Sequence, residues 1–136
     1  VERVVLDTGV LIAGTEHDLS ELGLGEAADI AIPAVAVAEF ELGCLLDNDR
    51  ERAEANREYL QGVLEAAPVL DYSLAVAEEH ARLMQHTRQE GRPRGSHDLI
   101  IAAIAKTNGR AVATTDQRAA FGDLPGVDCL LINPRP

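Results

Sequence analysis

Four acidic residues, far apart along the chain, share one feature: each stands at or inside an apolar run. Asp7 follows VERVVL, Glu39 lies within PAVAVAEFELG, Asp98 opens DLIIAAIA, and Asp116 closes AVATTD. Carboxylates in such places are costly unless something binds them. Two of them ~4 Å apart repel by about 4 kcal/mol at an effective dielectric of 20. Several such repulsions would consume much of a typical stability of ~5–15 kcal/mol. A divalent cation turns the repulsion into attraction. With oxygen as the only donor and no accompanying histidine or cysteine set, the chemistry points to Mg²⁺, with Mn²⁺ as a substitute, rather than Zn²⁺. Each acid also has a plainer explanation. Asp7 and Asp116 could cap helical turns, Asp98 could complement a helix dipole, and Glu39 could pair with an arginine. Those readings serve the residues singly; a cation site accounts for all four together.

The elements that must position these acids alternate between strand and helix. Residues 1–6 are rich in β-branched side chains and form a buried strand that stops at Asp7; residues 10–13 suit a helical turn and 19–28 a short amphipathic helix. Residues 29–32 are a second strand, after which Pro33 opens a helix reaching Leu46, with Val35, Leu42 and Leu46 as its apolar stripe and Glu39 inside that stripe. The charged segment 49–66 carries one apolar face and pairs antiparallel with it through Asp47-Asn48. Residues 68–72 form a brief third strand, Ser73 caps a helix ending near Gly91, and 91–95 is a loop by composition. Ser96 then caps a helix with Asp98 in its first turn, apolar almost all round from Leu99 to Ala105 and stopped by Asn108-Gly109. A strand over 111–115 leads to Asp116, a turn-rich link spans 121–126, and 127–132 is the last strand.

This alternation predicts an α/β fold, a three-layer α/β/α arrangement around a central parallel sheet of four to five strands. Functional groups in open parallel sheets gather beyond the carboxyl ends of the strands, where Asp7 and Asp116 fall. At 1.5 Å per residue Glu39 is ~9 Å into its helix, within reach of the same crevice.

The whole chain of 136 residues is expected to be one domain, with an aliphatic core because only 3% of it is aromatic. No apolar run approaches the ~20 residues of a membrane span, and VERVVLDTG lacks a signal-peptide core. Cys44 and Cys129 match no metal-ligand spacing and read as buried free thiols, which with the foregoing suggests the cytoplasm. The net charge of −11 stays negative even without the four acids, so any nucleic acid would be held by local basic patches and a bound metal.

Three stretches in order, VVLDTGVLIAG, IPAVAVAEFELG and GSHDLIIAAIAKTNGRAVATTDQRAAF, resemble the motifs of PIN-domain ribonucleases, with the nearest likeness to the VapC-type toxins of bacterial toxin–antitoxin pairs. The resemblance implies that Asp7, Glu39, Asp98 and Asp116 are the catalytic, metal-binding acids, supported by the hydroxyls of Thr8 and Thr114. The chain departs from the family pattern in having Gly9 after the Asp-Thr pair and Ala119 in place of an extra acid found in some members. The resemblance further implies an endoribonuclease acting on single-stranded or loop RNA, a VapB-type antitoxin partner and a homodimer. Arg88, Arg92, Arg94 and Arg118 flank the expected crevice and are candidates for phosphate contacts. Rival readings are a metal-free ribonuclease using His97 and His80, with His80 partly buried and His17 and His86 exposed, a phosphatase using Asp7, and a receiver domain. The first lacks a spacing that joins the histidines, and the other two lack the second acid or lysine they require. A further alternative is a PIN-fold module that binds RNA or protein with a weak or vestigial nuclease site.

Overall fold

The computed structural model describes residues 2–132. Strand β1 (Arg3–Leu6) is central. Its side chains alternate, so Val5 points into one hydrophobic cluster while Val4 and Leu6 enter the other. The same alternation recurs in β2 (Asp29–Pro33), where Ala31 and Ile32 part to opposite faces, and in β4 (Ala111–Thr114), where Val112 and Ala113 do so. A sheet buried on both faces needs helices on both, and the chain supplies them. On one side lie α4 (Leu74–Glu90) and α5 (Ser96–Thr107), contributing Val76, Leu83, Leu99 and Ile101–Ala105 to the core. On the other lie α1 (Thr8–Ala13), α2 (Ala34–Leu46) and α3 (Arg50–Ala66), contributing Val10, Leu11, Ala36, Phe40, Cys44 and Leu60.

With β3 (Val69–Leu70) and β5 (Cys129–Leu131) at its edges, the sheet is five-stranded and runs β3-β2-β1-β4-β5. Every pairing is parallel, with Leu6 beside Ala113 and Val5 beside both Ala31 and Val112. The expected three-layer α/β/α architecture is therefore present. Because β1 pairs with β2 on one side and β4 on the other, the order reverses at β1. The crevice beyond the carboxyl ends of β1 and β4 is thus the topological switch point.

Several local expectations are corrected. The segment 19–28 contains turns and no helix, although Leu22 and Leu24 are fully buried; two glycines, Gly23 and Gly25, break any helical run there. Helix α2 buries Ala36, Phe40 and Cys44, not the predicted stripe, and leaves Leu42 53% and Leu46 70% exposed. Both sets satisfy helical spacing, and a helix apolar nearly all round offers little contrast between them. Pro33 precedes the helix as its cap and closes β2, rather than occupying the first helical position. Gly95, not Ser96, caps α5. Cys44 is buried but Cys129 is exposed. His17 and His86, expected at the surface, are half-buried beside Glu21 and Glu90. The two outer strands are also shorter than predicted, and Val1 of the expected first strand lies outside the described residues.

Candidate active site

The apolar strand β1 delivers Asp7 to the switch point, where it caps α1: its Oδ1 accepts from the Val10 amide at 2.9 Å. The plainer reading of Asp7 as a cap therefore holds, but it occupies one oxygen only. The other accepts from the Thr114 hydroxyl at the end of β4. Thr114 in turn accepts from the Asp116 amide at 3.0 Å, so one hydroxyl joins the two strand ends that carry acids. Thr114 is 1% exposed, hence its partners are fixed by packing as well as by hydrogen bonding. Asp116 itself is exposed and caps the 3₁₀ turn Gln117–Ala119 by accepting from the Arg118 amide at 2.8 Å.

Glu39 is half-buried. Turning ~100° per residue along α2 puts it between the buried Ala36–Phe40 face and the exposed leucines. Among the described residues no arginine pairs with it. Instead the Thr8 hydroxyl donates to its Oε1 at 2.8 Å, and His97 Nδ1 lies 3.5 Å from its Oε2. Thr8 is the first residue of α1, so Glu39 is held directly against the element that Asp7 caps. Asp98 sits in the first turn of α5, and its carboxylate folds back over Gly95. A Cβ at position 95 would stand 3.0 Å from Asp98 Oδ2, so the absence of a side chain there leaves room for the carboxylate.

Electrostatics tie the four acids together. Burial pushes the Asp7 carboxyl above its usual range. Hydrogen bonds from Thr114 and Val10 counter this, and the charges of Asp116 and Glu39 push it further up. Asp98 is likewise raised, first by burial and then by Asp7, Asp116 and Glu39, against a smaller opposing pull from His97. Four elements thus bring the predicted acids to one end of the sheet, with no arginine or lysine of the described residues in an ion pair with any of them. The donors are all carboxylate oxygens, a set that fits a hard divalent cation. Their side chains are not drawn tightly together: among the described residues no three of histidine, cysteine, aspartate or glutamate form a group ready to hold a metal ion. Glu39 turned toward Thr8 and His97, and Asp7 shared between Thr114 and Val10, account for that spread.

The basic candidates separate. Arg94 donates from one Nη to the carbonyls of Ala119 and Ala120, so it fastens the loop before Asp98 to the turn after Asp116. This is a positioning role that its place in a basic, glycine-rich loop did not signal. Ala120 adopts a left-handed backbone at φ 47° at this contact point. Arg88 and Arg118 are exposed, and Arg92 is loosely placed 3.9 Å from Glu90 and 3.8 Å from Asp123. His80 binds the Tyr72 hydroxyl at 2.8 Å, whereas His97 faces Glu39, so the two histidines serve different partners. Sequence reasoning weighed His97 only as a catalytic acid or base and missed it as a neighbour of Glu39; the signal was its adjacency to Asp98.

Among the described residues, no helix is long and apolar enough to cross a membrane. The chain resembles the toxin FitB of Neisseria gonorrhoeae, 29% identical over 78% of this chain and 76% of that protein. It also resembles the plasmid stability protein StbB of Pseudomonas syringae pv. tomato, 28% identical over 96% of this chain and 97% of that one. Its fold superposes on VapBC-5 of Mycobacterium tuberculosis, a member of the VapBC family of toxin–antitoxin systems. The TM-score is 0.79 at 27% identity, covering 96% of this chain and 99% of the other. The PIN-domain family model matches residues 4–126, and this chain belongs to the PIN-domain family.

Proposed function

We propose that the chain is a single-domain, Mg²⁺-dependent endoribonuclease of the cytoplasm, the toxin of a VapBC-type pair, with Mn²⁺ able to replace Mg²⁺. The observation that carries this reading is the convergence of Asp7, Glu39, Asp98 and Asp116 at the switch point with no arginine or lysine among the described residues in an ion pair with them. Asp7 and Asp98, raised by burial and by their neighbours, gain most from a cation, and they would hold it with Glu39 and Asp116. When bound, the cation supplies a lowered pKa for a bound water and charge stabilisation on the phosphate. Thr114 keeps Asp7 and the backbone of Asp116 in register, and Thr8 fixes Glu39. Arg94 holds the Asp98 and Asp116 segments at a constant separation.

The toxin role is supported by the likeness to FitB and to VapBC-5. A VapB-type antitoxin would find an apolar surface on α2, where Leu42, Leu45 and Leu46 are exposed, and on α1, where Ile12 is 51% exposed. A homodimer is part of the same reading. The test compares RNA cleavage in Mg²⁺, in EDTA, and by Asp7→Asn and Asp98→Asn. Cleavage only by the unaltered chain with metal is expected; equal cleavage in all four would refute the metal mechanism.

The spread of the carboxylates favours a second reading, a catalytically weak PIN-fold module that binds RNA or protein. It predicts no cleavage of several structured RNAs under any of these conditions.

A further inference from the structure

Beside the acids, between α4 and the loop that leads into α5, lies a groove of about 450 Å³. Met84, Pro93 and Leu99 contribute apolar surface to it, and Arg88, Arg92 and Arg94 also line it. Ser96, two residues before Asp98, is part of its wall, so the groove and the acid crevice share the first turn of α5. This chain carries 12 basic residues against 23 acidic ones, which makes three arginines around one apolar groove an uncommon local reversal of charge. They do not play one part. Arg94 is engaged with the carbonyls of Ala119 and Ala120, and its Nη2 is buried without an acceptor among the described residues. Arg92 is held only at 3.8–3.9 Å by Asp123 and Glu90. Arg88, in the last turn of α4, has no carboxylate in ion-pair range among the described residues.

An apolar floor with the exposed guanidiniums of Arg88 and Arg92 on its rim matches a nucleotide, whose base offers a flat apolar face and whose phosphates carry the charge. Resting on the ribonuclease reading above, we propose that this groove holds the base of a nucleotide neighbouring the scissile phosphate of single-stranded RNA, with Arg88 and Arg92 on its phosphates. Arg94 shapes the groove wall and keeps it in register with Asp98. The site would therefore select for unpaired RNA, because a base within a duplex cannot leave its stack to enter the groove without an energetic cost.

The experiment measures binding of a short, unstructured, fluorescein-labelled RNA to the full chain carrying Asp98→Asn, across a range of salt concentrations. Adding Arg88→Gln and Arg92→Gln should weaken binding at least ~10-fold and flatten the slope of log Kd against log salt by about 1.4, two phosphate contacts at ~0.7 each. Arg50→Gln with Arg57→Gln, exposed on α3, removes the same charge elsewhere and should leave that slope unchanged. An abasic nucleotide stepped along the RNA should weaken binding roughly fivefold or more at one position beside the cut. Equal losses in both double variants would overturn the groove assignment. So would normal RNA binding by Arg88→Gln/Arg92→Gln accompanied by loss of a co-expressed antitoxin, which would make the groove a protein dock. Failure of the ribonuclease reading is seen separately, as absence of cleavage by the unaltered chain in Mg²⁺, or as cleavage that neither EDTA nor Asp98→Asn diminishes.

Discussion

The two ends of the central sheet treat acidic residues in opposite ways. At the amino end Asp29, the first residue of β2, meets Arg3 at 3.5 Å and Arg110 at 3.0 Å. Arg110 is almost fully buried, and the same Nη1 donates to the carbonyls of Asp29 at 2.8 Å and Val4 at 3.3 Å. That end is closed: its carboxylate is matched by the chain's own cations, and the pair ties three strands together. At the carboxyl end, four carboxylates from four elements share their surroundings with one histidine, His97. Among the described residues no arginine or lysine pairs with them. The comparison teaches that the chain can match an acid with arginine, one of them buried, where the purpose is structural, and does not do so where Asp7 and Asp98 stand. The imbalance at one end is thereby a property of the site and not of an acidic protein in general.

The sharpest way to break this contrast is to neutralise one acid at each end. Asp98→Asn should lower RNA cleavage by at least ~100-fold, the scale on which metal-assisted catalysis operates. Asp29→Asn should leave cleavage within about twofold, since its partners lie at the opposite, amino end of the sheet. Comparable losses in both variants, in protein that remains folded, would erase the distinction between the ends. The amino end should show its importance in stability instead. Arg110→Ala removes a buried donor shared by three acceptors and should cost about 2–3 kcal/mol in urea unfolding. A cost below ~0.5 kcal/mol would mean that the pair is ornamental.

A smaller effect has the opposite sign. Burial raises the folded-state pKa of Asp7 above its unfolded value, so between those two values the folded chain retains a proton that the unfolded chain has lost. The contribution of this group to stability is therefore greatest at low pH and falls as pH rises from the ordinary carboxylate range through the raised value. In EDTA at neutral pH, Asp7→Asn should melt at a higher temperature than the unaltered chain. The advantage should disappear toward pH 4. A lower melting temperature at neutral pH would show that the hydrogen bonds to Asp7 outweigh its burial and repulsion.

Much of this arrangement was legible in the sequence because strand ends are easy to place. Asp7 directly follows β1, and Asp116 follows Thr114, the last residue of β4, by two positions. Asp98 could be placed because a helix start near Ser96 was evident whether Gly95 or Ser96 capped it. Glu39 was assigned to the right helix and the right crevice but to the wrong partners in its stripe. Val35, Leu42 and Leu46 and the truly buried Ala36, Phe40 and Cys44 both fit a helical repeat, and only tertiary contact distinguishes them. Long-range polar partners were out of reach for a different reason. Arg110 bonds to residues 81 and 106 positions away, and Arg94 to residues 25 and 26 positions away. No periodicity encodes such contacts. The turns over 19–28 were misread because Leu19, Leu22 and Leu24 imitate an amphipathic pattern while serving as core side chains on an irregular backbone.

The central claim is that the carboxyl-end acids require a cation from outside the chain, and Mn²⁺ binding followed by melting temperature tests it most directly. At 100 times its dissociation constant, Mn²⁺ should stabilise the unaltered chain by ~2.7 kcal/mol. Asp29→Asn should keep that gain, and Asp7→Asn and Asp98→Asn should lose most of it. An unaltered chain whose melting temperature does not move in saturating Mn²⁺, or an Asp98→Asn variant that gains as much as the unaltered chain, would contradict the account.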